Sequence, residues 1–145
     1  MKRIWVNMKN RVVYFMLCAI SLAAGAIIYI VFRPNTYVSE CVRNFIPVTQ
    51  TFFSGFADTK FDFLKYYFSD FLWAFSFNCG LNVIFPEPKK VIVNGIIVCL
   101  AGVFWEIAQV IGIVSGTGDV IDSLMYFLAV LILLIPNVAL FKKTK

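Results

Sequence analysis

Long apolar stretches and short polar stretches alternate along the chain, and their lengths predict four helices. An apolar stretch of about 20 residues, folded as an α-helix, covers the roughly 30 Å of hydrocarbon in a bilayer. Such stretches occupy residues 12–32, 66–85, 91–113 and 121–141. We therefore expect an all-α membrane protein, a bundle of four transmembrane helices that forms a single integral membrane domain over residues 1–145.

The segment between the first two predicted spans, residues 35–65, differs from a simple loop. It mixes charged residues with many aromatic rings, and 13 of the 25 aromatic residues of the chain lie between Phe45 and Phe77. Aromatic rings are enriched where a protein meets the lipid headgroups. The pattern predicts an interfacial segment on the outer side of the membrane. A re-entrant element that lines a cavity is the alternative, and it requires other helices to shield its backbone from lipid.

The first apolar stretch leaves two interpretations open. Residues 1–11 contain four basic residues and no acidic one, and an apolar run follows directly. A cleavable signal peptide is one interpretation, because Ala24, Gly25 and Ala26 fit the small-residue pattern of a cleavage site. The apolar run continues to Phe32 instead of breaking after these residues. A retained membrane span is therefore the interpretation that we favour.

The composition supports a membrane protein and excludes several kinds of site. Hydrophobic residues make up 61% of the chain and charged residues 14%, against about 25% charged residues in soluble domains. There is no histidine, which removes the Ser-His-Asp triad and the commonest metal ligand. The four cysteines have no Cys-x-x-Cys spacing. We therefore expect no metal site, no cofactor and no intrachain disulfide.

The distribution of lysine and arginine predicts the orientation of the helices. Nine of the 13 basic residues lie in residues 1–11, 86–90 and 142–145, and seven of the eight acidic residues lie in the remaining segments. Cytoplasmic loops are enriched in Lys and Arg. The sequence thus predicts a multi-pass protein of the plasma membrane with both termini in the cytoplasm. Because the basic residues form short clusters beside the spans, nucleic acid is not an expected partner.

Glu106, inside the third apolar stretch, is the strongest candidate for a functional residue. A charged side chain at the centre of a membrane helix costs at least about 2.5 to 3.5 kcal/mol on insertion scales, so such residues are rare and face the protein interior. Gln109 lies three residues further on, within reach of a shared hydrogen-bond network. On the same helix face, Gly95, Cys99 and Gly102 form a seam of small residues that lets a neighbouring helix approach.

The fourth predicted helix has a polar face near its start that could meet Glu106. Asp119, Asp122 and Tyr126 recur there at helical spacing. The turn before them is short, so the third and fourth helices are expected to be antiparallel neighbours. Asp70, near the start of the second span, is a further candidate. For Asp119 and Asp122, helix capping is the alternative role, and for Asp70 it is a position at the headgroup level.

These residues resemble the motif of a known family. The pattern Glu106-x-x-Gln109, a glycine-containing turn and Asp119-x-x-Asp122 is similar to that of the VanZ-like family of small bacterial polytopic membrane proteins, over roughly residues 66–140. The resemblance implies a helix bundle with an acidic motif near the extracytoplasmic face, and a link to reduced susceptibility to glycopeptide antibiotics such as teicoplanin. The family usually has an arginine three residues before the first aspartate, where this chain has Gly116.

Three functional hypotheses follow from these patterns. The first is a protein of the bacterial cell envelope with a polar site that opens toward the outer leaflet and binds a lipid headgroup, an envelope precursor or a cationic amphiphile. This site would contain Asp70, Glu106, Gln109, Asp119, Asp122 and Tyr126. The second is an enzyme in which two carboxylates act as acid and base on a lipid-linked substrate, with the catalytic residues unassigned. The third is an accessory subunit whose buried acid pairs with a partner membrane protein.

Overall fold

Four α-helices make up the part of the chain that the structure describes. The structure is a computed structural model, and it describes residues 2–32, 63, 67–87, 90–114 and 118–142. Within these ranges the helices are α1 (Lys2–Phe32), α2 (Ser69–Ile84), α3 (Lys90–Val110) and α4 (Val120–Lys142), and there is no strand. The predicted all-helical class is confirmed for these residues. The predicted interfacial segment, residues 35–65, lies outside them apart from Phe63.

Two of the four helices are long and apolar enough to cross a membrane, judged by length and composition. They are the Arg11–Ile30 part of α1 and the whole of α3, and Val120–Ile135 in α4 is a shorter apolar helical stretch. With 16 residues, α2 is about 24 Å long, which is less than the roughly 30 Å of hydrocarbon. It is therefore shorter than the span predicted at 66–85.

Helix α2 lies at the centre of the fold and packs against each of the other three helices. Its contact with α1 is close, because a Cβ atom built on Gly25 would lie 3.3 Å from the Cβ of Leu72. About one turn further along α2, Ser76 Oγ donates a hydrogen bond of 3.0 Å to the carbonyl oxygen of Cys18. Since residue numbers rise along α2 as they fall along α1, the two helices are antiparallel.

The predicted seam of small residues on α3 faces α4, as its spacing indicates. A Cβ atom on Gly95 would lie 2.7 Å from Val130 Cγ1, and a Cβ atom on Gly102 would overlap the ring of Tyr126. Both α4 residues belong to the buried core of the bundle. The two glycines therefore allow α3 and α4 to approach so closely that the Tyr126 ring lies directly on the α3 backbone.

Helix α3 ends three residues earlier than the predicted end at Ile113, because Gly112 terminates it. Gly112 has a positive φ of 74°, a conformation that glycine adopts without steric cost. The Gly112 N–H bonds to the carbonyl oxygen of Gln109, and the Ile113 N–H bonds to that of Ala108. This pair of bonds is the Schellman motif, so the helix stops before the glycine-rich turn that we expected to end it.

Buried asparagines join α2 to α3 near the α2–α3 turn. Asn82 Nδ2 donates to Asn78 Oδ1 at 3.2 Å, and Asn94 Nδ2 donates to Asn82 Oδ1 at 2.9 Å. All three side chains are almost fully buried. Asn82 links the other two amides, and the bond from Asn94 holds α3 against α2.

Candidate functional site

Glu106 is buried near the end of α3, and both of its carboxylate oxygens accept hydrogen bonds. The residue is only 7% exposed. The Tyr126 hydroxyl donates to Oε1 at 3.0 Å, and the backbone N–H of Asp119 donates to Oε2 at 3.0 Å. Both donors belong to α4 or to the residue just before it, so these bonds offset the cost of burying the carboxylate and fix the start of α4 against the end of α3.

Asp119 has two separate roles at the start of α4. Its Oδ1 accepts a hydrogen bond of 3.0 Å from the backbone N–H of Ile121, which is the bond of a helix N-cap to the second residue of the helix. Its Oδ2 accepts a bond of 3.1 Å from the Tyr67 hydroxyl. Asp119 therefore caps α4, which is the alternative role considered for it, but only Oδ1 takes part in the cap.

The contact between Glu106 and Asp119 resembles a capping box made across two helices. In a capping box, a Glu or Gln three residues after the N-cap bonds to the backbone N–H of the N-cap residue. Here Glu106 of α3 bonds to that group of Asp119 instead. Gly118 makes the approach feasible, because a Cβ atom on it would lie 2.8 Å from the carbonyl oxygen of Glu106.

Two further carboxylates lie close to the same place. Asp70 lies in the first turn of α2 and Asp122 in the first turn of α4, which places both at the end of the bundle where Glu106 lies. The hydrogen bond to Asp119 and burial raise the pKa of the Tyr67 hydroxyl, and the charges of Asp119 and Asp122 add to this effect. We call Asp70, Glu106, Asp119 and Asp122 the acidic cluster. Its members come from α2, α3 and the start of α4, and two of them accept hydrogen bonds from Tyr67 and Tyr126.

Gln109 is the one predicted site residue that the structure does not connect to the acidic cluster. It is partly buried near the end of α3. Among the residues that the structure describes, no hydrogen bond joins its side chain to Glu106. Three residues of separation place two side chains on similar faces of a helix, but Gln109 lies in the last turn, where the chain leaves α3. Its role in a site remains a prediction.

Tyr67 is a member of the site that the sequence analysis missed. It lies two residues before α2 and 52 residues before its partner Asp119. No periodic pattern links positions so far apart. The one indication is its location in the aromatic-rich stretch from Phe45 to Phe77, which predicts a position at a membrane surface and not a particular contact.

The acidic cluster lies at a single end of the bundle, where α2 begins, α3 ends and α4 begins. Trp73 and Trp105 are exposed at the same end. The opposite end contains the ion pair between Lys90 and Glu87, at 3.1 Å. In the described part of the chain, no group of three or more His, Cys, Asp or Glu residues is placed to hold a metal ion.

Comparison with known proteins does not assign the chain to a family. No protein-family model, no curated protein and no solved structure matches the chain. The resemblance to the VanZ-like family consequently rests on Glu106, Gln109, Asp119 and Asp122 in the sequence, and it remains a prediction.

Proposed function

We propose that the protein is a VanZ-like integral membrane protein of the bacterial cell envelope whose acidic cluster binds the cationic headgroup of an amphiphile near the outer leaflet. The observation that carries the proposal is the placement of four carboxylates from three helices at one end of an apolar bundle, with Glu106 bonded to the backbone of Asp119. Negative charge gathered on one surface attracts a cationic ligand. An envelope precursor with an amine in its headgroup belongs to the same ligand class.

The surface of the bundle supports its placement in a membrane. Large apolar side chains are exposed along the helices, for example Leu100 and Phe104 on α3 and Phe127 and Leu131 on α4. A soluble protein rarely exposes apolar patches of this extent. With the basic clusters in the cytoplasm, all four helices span, both termini are cytoplasmic and the acidic cluster faces outward. The shorter α2 is accommodated by local thinning of the bilayer.

The carboxylates of the acidic cluster have different roles in this proposal. Glu106 holds the start of α4 in place, since its two oxygens bond to Tyr126 and Asp119. Asp119 and Asp122, which are both partly buried, add negative charge at the same end of the bundle. The VanZ-like pattern has an arginine where this chain has Gly116, and the cationic group of the ligand supplies the positive charge that this arginine would supply.

Binding of a simple cationic amphiphile tests the proposal. The purified protein in phosphatidylcholine nanodiscs is titrated with octylammonium, and binding is followed by intrinsic fluorescence. Asp119→Asn retains a good N-cap residue and removes one charge, so the fold should persist. Because one charge near a membrane surface is worth about 1 kcal/mol, we expect the affinity for octylammonium to fall about fivefold. The uncharged octanol should bind equally to both proteins.

Glu87→Gln is the matched control. It removes a carboxylate of the same bundle at the opposite end, next to Lys90, and should leave octylammonium binding unchanged. If Asp119→Asn and Glu106→Gln both leave binding unchanged, the proposal is wrong. Unchanged binding is the result expected if a basic residue of the outer segment already neutralises the acidic cluster. A change in membrane lipids caused by the protein would instead indicate an enzyme. A second protein that co-purifies in stoichiometric amount would indicate an accessory subunit.

A further inference from the structure

No further inference is drawn: the strongest candidate, the fully buried Ser69 hydroxyl where α2 packs on Gly25 of α1, has no hydrogen-bond partner among the described residues, but it carries nothing, because the described part of the chain shows no opening beside this hydroxyl and no feature that indicates which ligand would reach it.

Discussion

The hydrogen bonds of Glu106 change the interpretation of this residue. As a single acid in an apolar helix, it suggested a group that meets a ligand. In the structure its oxygens bond to Tyr126 and to the backbone of Asp119, so the chain itself satisfies much of its bonding capacity. Glu106 therefore acts as a clamp between α3 and α4. In the proposed site, the aspartates, which are more exposed than Glu106, supply most of the charge.

Removing the Tyr126 hydroxyl tests this clamp. Tyr126→Phe keeps the ring that packs on Gly102 but leaves Glu106 Oε1 buried with one donor fewer. The loss of a hydrogen bond to a carboxylate should lower the free energy of unfolding by about 1 to 3 kcal/mol. Unfolding by dodecyl sulfate in mixed micelles, followed by circular dichroism, measures the change.

Tyr67→Phe is the companion variant, because it removes the hydroxyl that bonds to Asp119. Tyr67 is only partly buried, so surrounding water can replace its bond, and this variant should be less destabilised than Tyr126→Phe. Equal stability of Tyr126→Phe and the unsubstituted protein would show that Glu106 does not need this donor. It would contradict the role of Glu106 in holding α3 and α4 together.

At the scale of the helices, the two ends of the bundle use different polar groups. The end that carries the acidic cluster joins α3 to α4 through carboxylates and hydroxyl groups. The other end joins α2 to α3 through amides, with Asn94 donating to Asn82 at 2.9 Å. Amides hydrogen-bond across helices without introducing charge. The amide contact between α2 and α3 therefore suits a purely structural role, whereas the contact between α3 and α4 also concentrates negative charge.

The contact between the asparagines can be measured with a double-mutant cycle. Asn82→Ala and Asn94→Ala each remove one partner, and the free energies of unfolding of the single and double variants give the coupling. We expect about 0.6 kcal/mol and at most about 1.7 kcal/mol, the range found for hydrogen bonds between membrane helices. As a control, Ser76→Ala is combined with Asn94→Ala, because Ser76 bonds to Cys18 on α1. A coupling as large in the control cycle would contradict a direct contact.

The limits of the sequence analysis are clearest at the helix ends and in the long-range contacts. The bounds of the apolar stretch at 121–141 agree with both ends of α4 to within one residue. The helical spacing of Gly95, Cys99 and Gly102 predicted the seam that meets α4, because residues on one helix face recur with the helix period. The sequence did not show that α3 ends at Gly112, because Gly116 and Gly118 are equally plausible helix-ending residues. It also missed the bond between Tyr67 and Asp119, because tertiary packing brings these residues together from distant parts of the chain.

At the scale of the whole molecule, orientation decides whether the acidic cluster can meet an outer ligand. The cluster lies where α2 and α4 begin and α3 ends. Glu87 and Lys90, in the α2–α3 turn, lie at the other end. If all four helices span the membrane, the positive-inside rule places the α2–α3 turn in the cytoplasm and the cluster outside. The proposed ligand site depends directly on this arrangement.

Reporter fusions in a bacterial host determine this orientation. A green fluorescent protein folds and fluoresces in the cytoplasm, and an alkaline phosphatase is active outside the inner membrane. We expect fluorescence without phosphatase activity for fusions after Glu87 and after Lys145, and phosphatase activity without fluorescence for fusions after Gly116, because nine of the 13 basic residues lie on the predicted inner side. Immunoblotting of each fusion controls for its abundance. Active phosphatase after Lys145 together with fluorescence after Gly116 would invert the bundle and place the acidic cluster in the cytoplasm. Active phosphatase after both residues would mean that α4 does not span.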